Sequence, residues 1–142
     1  MLKLKRAEES PLLIPAPDRD WDAHAAFNPC VIFSDGVYHM LYRALSPKQN
    51  YYGQDIALST IGHAVSTDGI HFTDRKQLIK PEHDWEFYGC EDPRVTKIDD
   101  RYYIFYTALS TYPFSASGIK VGLAITRDFQ TIDEKHLVTP FN

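Results

Sequence analysis

NPCVIFSDGVYHMLYRAL at residues 28–45 and DPRVTKIDDRYYIFYTAL at residues 92–109 are one pattern written twice. Aligned at an offset of 64 residues (92 − 28), they share Pro29/Pro93, Val31/Val95, Asp35/Asp99, Tyr38/Tyr102, Tyr42/Tyr106, Ala44/Ala108 and Leu45/Leu109. That is seven identities in eighteen positions without a gap, well above chance. Self-similarity at this period identifies a repeat architecture before any other reading is needed. The pattern continues downstream at a slightly shorter offset. IGHAVSTDGIHF (61–72) pairs with VGLAITRDFQTI (121–132), matching Gly62/Gly122, Ala64/Ala124 and Asp68/Asp128.

Inside each copy the segments read as strands. VIF and VYHMLYRA flank Ser34-Asp35-Gly36, a hairpin signal, and RVTKI and RYYIFYTA flank Asp99-Asp100 in the same way. YYIFYTA is dense in aromatic and β-branched residues and has no helical spacing of apolar positions. IGHAVS and KVGLAIT supply third strands; QLIK and HLVT, after turns built on Ser/Thr-x-Asp, supply fourth strands. No long amphipathic helix is expected. Four short antiparallel strands repeated every ~60 residues predict blades of an all-β propeller. A single β-sandwich made by duplication is the competing architecture. The period exceeds that of common blades, and the excess is assigned to long loops such as SPKQNYYGQDIALST.

The organisation expected is one partial propeller domain over 1–142: an N-terminal segment (1–24), a first blade (25–82) and a second blade (83–142). Two blades do not close a ring. The expectation is therefore a piece of a longer chain, inactive in isolation, with assembly of several copies as the other way to complete it. A homo-oligomer of the full-length protein is left open.

Composition narrows the function classes. The chain has 142 residues, 44% hydrophobic, 13% aromatic and 24% charged, with a formal net charge of −4. A packed core is expected and disorder is not. Without a basic run, nucleic acid and anionic membrane surfaces are poor partners. No window approaches a membrane span, and PLLIPAP is too short and proline-broken for a signal-peptide core, so a cytoplasmic location is expected. Cys30 and Cys90 are too few for a disulfide framework and read as reduced thiols. The six histidines form no ligand-like pair, and no metal is expected.

The repeat also locates a candidate site. Asn28 and Asp92 begin the innermost strands of adjacent blades, at matching stations, and should face one shared cavity. Asp is depleted in strands and rarely buried without a partner. Glu91 and Asp92 are neighbours, so in an extended chain their side chains should point to opposite faces. Arg94 should share a face with Asp92, either to hold its carboxylate or to bind hydroxyls. A buried Asp92–Arg94 pair tying two blades together is the structural alternative, and Asn28 could instead cap the turn before Pro29. Arg43 breaks the repeat, since Thr107 is its counterpart. Trp85, Phe87 and Tyr88 could stack on sugar rings or pack between blades.

With those residues in view, AFNPCVI, the YRA of LYRA, IGHAVSTDGIHF and above all WEFYGCEDPRVTKIDDRYYIFYTA resemble glycoside hydrolase family 130, from about residue 10 onward. The resemblance implies a five-bladed propeller acting on β-mannosides. It implies Asp92 as general acid, Asn28 and Arg43 as ligands of the mannosyl unit, and Glu91 and Arg94 as supports in the substrate site. Cys90 departs from a position often small and aliphatic in the family. The implied reaction is inverting phosphorolysis of mannooligosaccharides or mannosyl-glucose to mannose 1-phosphate. Inorganic phosphate is the co-substrate and no cofactor is needed. The proton is implied to pass through a sugar hydroxyl. The basic residues expected to hold phosphate lie beyond Asn142. A β-mannosidase of the same fold and a non-catalytic carbohydrate-binding propeller are the alternatives.

Overall fold

A computed structural model describes residues 3, 5, 6 and 8–139. Eight strands follow one another: β1 Ala25–Ser34, β2 Val37–Tyr51, β3 Gln54–Ser66, β4 Thr73–Ile79, β5 Gly89–Ile98, β6 Arg101–Leu109, β7 Ile119–Thr126 and β8 Glu134–Leu137. The only helical elements among the described residues are single 3-10 turns at Asp84–Glu86 and Ala116–Gly118. β1 to β4 pair antiparallel in order, and so do β5 to β8. The two meanders meet at one parallel bridge, Ser59 to Gly89. β5 also packs against β1 and β2. This is a β-propeller-family fold with two blades, not one sandwich.

The blade interface is the main core. Leu41, Ile61 and Ile79 of the first blade pack with Cys90, Tyr102, Ile104, Tyr106, Ala108, Ala124 and Phe129 of the second. Alternation along the strands explains the sidedness. Tyr102, Ile104, Tyr106 and Ala108 face the first blade, and Phe105 between them is exposed. The first blade's equivalent face, with Met40, Tyr42 and Ala44, is covered by Leu13 and Trp21 of the N-terminal segment. Val31 and Phe33 on that flank and Phe105 and Val121 on the far flank of the second blade remain exposed.

Each blade is pinned by the same buried group of side chains. In the first, Tyr42 donates its hydroxyl to Asp22 (3.0 Å), which also pairs with Arg75 (3.5 Å). In the second, Tyr106 donates to Glu86 (2.6 Å), which also pairs with Lys135 (2.9 Å). Both carboxylates are fully buried, so pairing and hydrogen bonding must offset their desolvation. Gly62 and Gly122 lie under these tyrosine rings: a Cβ at either would fall 2.3 Å from Tyr42 Cζ or 2.5 Å from Tyr106 Cζ. Trp21 and Trp85 flank the same rings at 6.2 and 6.3 Å. The repeat therefore extends upstream to Asp20-Trp21-Asp22 and Asp84-Trp85-Glu86, into the segment that the sequence reading left outside the first blade.

The Ser/Thr-x-Asp turns are also duplicated. Ser66 Oγ accepts from the backbone N–H of Asp68 and Gly69, and Thr126 Oγ1 from those of Asp128 and Phe129. One expectation is corrected. SPKQNYYGQDIALST is not a loop, because β2 and β3 run on as a paired ribbon to Tyr51 and Gln54. Two local devices make this work. A bulge between Leu45 and Lys48 absorbs Pro47, which has no N–H to donate, and the Leu58 N–H is satisfied by Ser46 Oγ instead (2.9 Å). The tip, Tyr52-Gly53, has φ of 51° and 82°, a two-residue turn whose twist suits a hairpin.

Candidate active site

The site forms where the inner strands of the two blades begin. β1 carries a bulge between Phe27 and Cys30, and β5 carries its counterpart between Glu91 and Arg94. Each bulge places a residue before proline in the left-handed region: Asn28 at φ 48° and Asp92 at φ 53°. Asn and Asp tolerate that region better than other side chains. A following proline nevertheless steers its predecessor towards extended backbone, so both positions are strained. The strain turns the two side chains towards each other. Asn28 Nδ2 donates to Asp92 Oδ1 at 2.7 Å, across 64 residues of sequence.

Arg43, at the end of β2's inner half, completes the cluster. Its Nη2 forms a close ion pair with Glu91 Oε1, its Nη1 lies 3.7 Å from Asp92 Oδ1, and its Nε donates to Ser59 Oγ at 3.1 Å. The guanidinium carbon sits 4.8 Å above the Phe27 ring. Four neighbours on four sides fix one side chain, an arrangement suited to the planar fork of arginine. Burial pushes the Glu91 carboxyl up, against the opposing pull of Arg43 and a hydrogen bond from Ser59. Glu91 has 13% of its side chain exposed and Asp92 35%. Glu91 is therefore the bound-in partner and Asp92 the carboxylate open to a ligand.

Four of the five expected residues, Asn28, Arg43, Glu91 and Asp92, come together here. Two geometric expectations are corrected. Glu91 and Asp92 do not diverge to opposite faces; both reach Arg43, because the left-handed turn at Asp92 interrupts strand alternation. Nor do Asp92 and Arg94 pair: Arg94 is exposed and donates to the Pro93 carbonyl (2.6 Å), and among the described residues no ion pair joins it to Asp92. The bulge shifts Arg94 out of the expected register. Ser59 and Phe27 were missed by the sequence reading. Phe27 stands where the second copy has Glu91, and Ser59 where it has Ile119, so a search for positions at which the repeat breaks would have flagged both.

A cavity of about 260 Å³ opens beside Arg43, walled by Leu45, Lys48, Asp55, Ile56, Ala57, Tyr112 and Phe114. A second cavity, of about 280 Å³, lies between the N-terminal segment and the first blade; it is lined by Leu12, Leu13 and Met40 among others and by no charged group. Trp85 packs on Tyr106 in the core, whereas Phe87 and Tyr88 join an aromatic row with Tyr51, Tyr52 and Tyr112 at the site end of the blades.

Comparison with known proteins decides the family. The model of glycoside hydrolase family 130, described as beta-1,4-mannooligosaccharide phosphorylase, matches residues 4–138. The chain belongs to glycoside hydrolase family 130. Among curated proteins, this family 130 chain is 42% identical over 110 residues to a 1,2-beta-oligomannan phosphorylase of Thermoanaerobacter sp. (strain X514), covering 75% of the chain and 36% of the relative. It is 38% identical over 117 residues to a beta-1,2-mannobiose phosphorylase of the same organism, covering 75% and 37%. Among solved structures, it superposes on a beta-1,2-mannobiose phosphorylase from Listeria innocua, crystallised with beta-1,2-mannobiose, with a TM-score of 0.69 at 25% identity. That match covers 89% of this chain and 49% of the other. The chain thus spans about a third of the length of the curated relatives it matches.

Proposed function

We propose that the protein containing this chain is an inverting phosphorylase of β-mannosides, with β-1,2-linked mannobiose or oligomannan as substrate. The linkage comes from the names of the two curated relatives. The observation that carries the reading is the grip on Asp92: one oxygen held by Asn28 and approached by Arg43, beside a second carboxylate, Glu91, that is already bound to Arg43 and Ser59.

That division of labour suits phosphorolysis. Inverting hydrolysis needs two working carboxylates about 6.5–9.5 Å apart, one to protonate the leaving oxygen and one to activate water on the opposite face. Glu91 does not fit the second of these roles, because it adjoins Asp92 and is engaged by Arg43. Phosphate already carries the negative charge of a nucleophile and needs no base. In the proposed step, a phosphate oxygen attacks the anomeric carbon and the glycosidic C–O bond breaks. The departing oxygen takes up the proton that Asp92 supplies, by way of a sugar hydroxyl. The products are mannose 1-phosphate of inverted configuration and a saccharide shortened by one mannose. Asn28 and Arg43 orient Asp92 and offer donors to mannosyl hydroxyls. Phosphorolysis conserves the bond as a sugar phosphate, which fits a cytoplasmic enzyme.

The test is product analysis with β-1,2-mannobiose and the full-length protein. Mannose 1-phosphate formed only when phosphate is present supports the reading. Free mannose released at equal rates with and without phosphate supports the β-mannosidase instead, and saccharide binding without turnover supports a binding propeller.

A further inference from the structure

We infer that Ser59 is a positioning residue of the site: its hydroxyl ties Arg43 to Glu91 and so leaves a single arm of the arginine for Asp92. Its effect on turnover rests on Asp92 as the proton donor proposed above.

Ser59 lies on β3, 3% exposed, and its one hydroxyl serves two charged groups. The oxygen accepts from Arg43 Nε at 3.1 Å, and the hydroxyl donates to the Glu91 carboxylate. A serine hydroxyl has one proton to give and lone pairs to receive, so it can do both at once. The ion pair between Arg43 Nη2 and Glu91 Oε1 closes the ring. Ser59 and Glu91 thus occupy the Nε–Nη2 edge of the guanidinium. Because the fork is rigid and planar, fixing that edge also fixes where Nη1 points. Nη1 is the nitrogen that lies 3.7 Å from Asp92 Oδ1.

The backbone holds the hydroxyl in place. Arg43 pairs with Ile61 and Leu45 with Ser59, so Ser59 is the diagonal neighbour of Arg43 on one face of the β2–β3 pair. Ser59 also forms the parallel bridge to Gly89, two residues before Glu91 on β5. A Cβ at Gly89 would meet the Ser59 Cβ and carbonyl oxygen at 3.4 Å, so the seam is close-packed on that side. The repeat points the same way. The second copy has Thr107 and Ile119 at the stations of Arg43 and Ser59, so the arginine and the serine depart from the repeat together.

The arrangement has a consequence for pH. Burial pushes the Glu91 carboxyl up; of the charged groups facing it, Arg43 opposes that push and Asp92 adds to it, and the Ser59 bond favours the carboxylate. Without the hydroxyl, Glu91 takes up a proton at higher pH, and a neutral Glu91 no longer pairs with Arg43. The arginine fork then loses its fixed edge and its aim at Asp92.

The experiment compares full-length wild type with Ser59→Ala at pH 7 and pH 5, in phosphorolysis of β-1,2-mannobiose. Ser59→Ala should lower kcat/KM about tenfold at pH 7, equivalent to about 1.4 kcal/mol, and the ratio of wild type to variant should be larger at pH 5. Taking the ratio cancels any pH dependence that the two proteins share, and a serine that only packed the seam would give the same ratio at both pH values. A ratio near one at pH 7, or an equal ratio at pH 7 and pH 5, would overturn the role of Ser59 while leaving the proposed reaction standing. If the wild type turns over no mannoside, the proposed reaction falls and calorimetry with β-1,2-mannobiose decides the role of Ser59, because Arg43 also donates to the saccharide. Binding weakened in Ser59→Ala, and weakened further at pH 5 relative to wild type, would uphold it; the same ratio of affinities at both pH values, or no binding to either protein, would overturn it.

Discussion

Acidification should loosen the blade interface that brings Asn28 to Asp92, and His63 sets the size of the effect. His63 on β3 is 2% exposed and stacks on Phe129 of the second blade at 4.9 Å. Its Nε2 lies 3.0 Å from His39 Nδ1, while its own Nδ1 is buried without a partner. The economical arrangement has Nε2–H donating to His39 and Nδ1 as a bare acceptor. A second proton would then sit in an apolar interface next to His39, with Lys76 also nearby. Burial, followed by the charges of His39 and Lys76, lowers the His63 pKa to about 3. The folded state therefore binds fewer protons than the unfolded chain below pH 6.5. The stability contributed by neutral His63 is complete above that value and is lost as pH falls. Between pH 7 and pH 5 the linkage relation gives a loss of about 2 kcal/mol from this residue. His39, lowered mainly by burial, acts in the same direction; exposed His71, raised by its bond to Asp68, opposes both. Urea unfolding followed by tryptophan fluorescence at the two pH values measures the sum, and His63→Gln should at least halve the difference. Equal stability at pH 7 and pH 5, or a His63→Gln variant with the full wild-type pH dependence, would refute the reasoning.

Other consequences follow from the same packing. Gly62→Ala and Gly122→Ala should each lower stability by about 1–3 kcal/mol or more, because the tyrosine rings beneath them are held by buried carboxylates and cannot withdraw; Tm shifts measure this. Tyr106→Phe removes one donor from fully buried Glu86 and should cost about 1–3 kcal/mol in urea unfolding. Lys135→Met, which strips that carboxylate of its cation, should cost about 3–5 kcal/mol in the same assay. Arg43→Ala should reduce kcat/KM for β-1,2-mannobiose by about 10²–10³-fold, as loss of a charged group from a preorganised site does.

The duplicated pattern in the sequence was enough to place the strands, because strand alternation, hairpin turns and the Ser/Thr-x-Asp motif are local and each occurs twice. It also placed Asn28 opposite Asp92, since equal stations on neighbouring blades must face one another. It did not reveal the bulges. Residues before proline are ordinarily extended, so nothing local announced the left-handed turn at Asp92 that swings its carboxylate to Arg43 and leaves Arg94 outside. The β2–β3 ribbon was misread for a similar reason: Pro47 signals a break unless a serine hydroxyl takes over a backbone hydrogen bond. Trp21 and Asp22 were legible in principle, and extending the alignment eight residues upstream of Asn28 would have paired them with Trp85 and Glu86.

The most direct test of Asp92 as proton donor is Asp92→Asn in the full-length protein, with phosphorolysis and saccharide binding measured on the same preparation. Asparagine keeps the shape and can still bond to Asn28 and face Arg43, but it has no proton to give to the departing oxygen. The account predicts a fall in kcat of about 10²–10⁴-fold, with the Kd for β-1,2-mannobiose changed by less than about threefold. Turnover near the wild-type rate in that variant would contradict it.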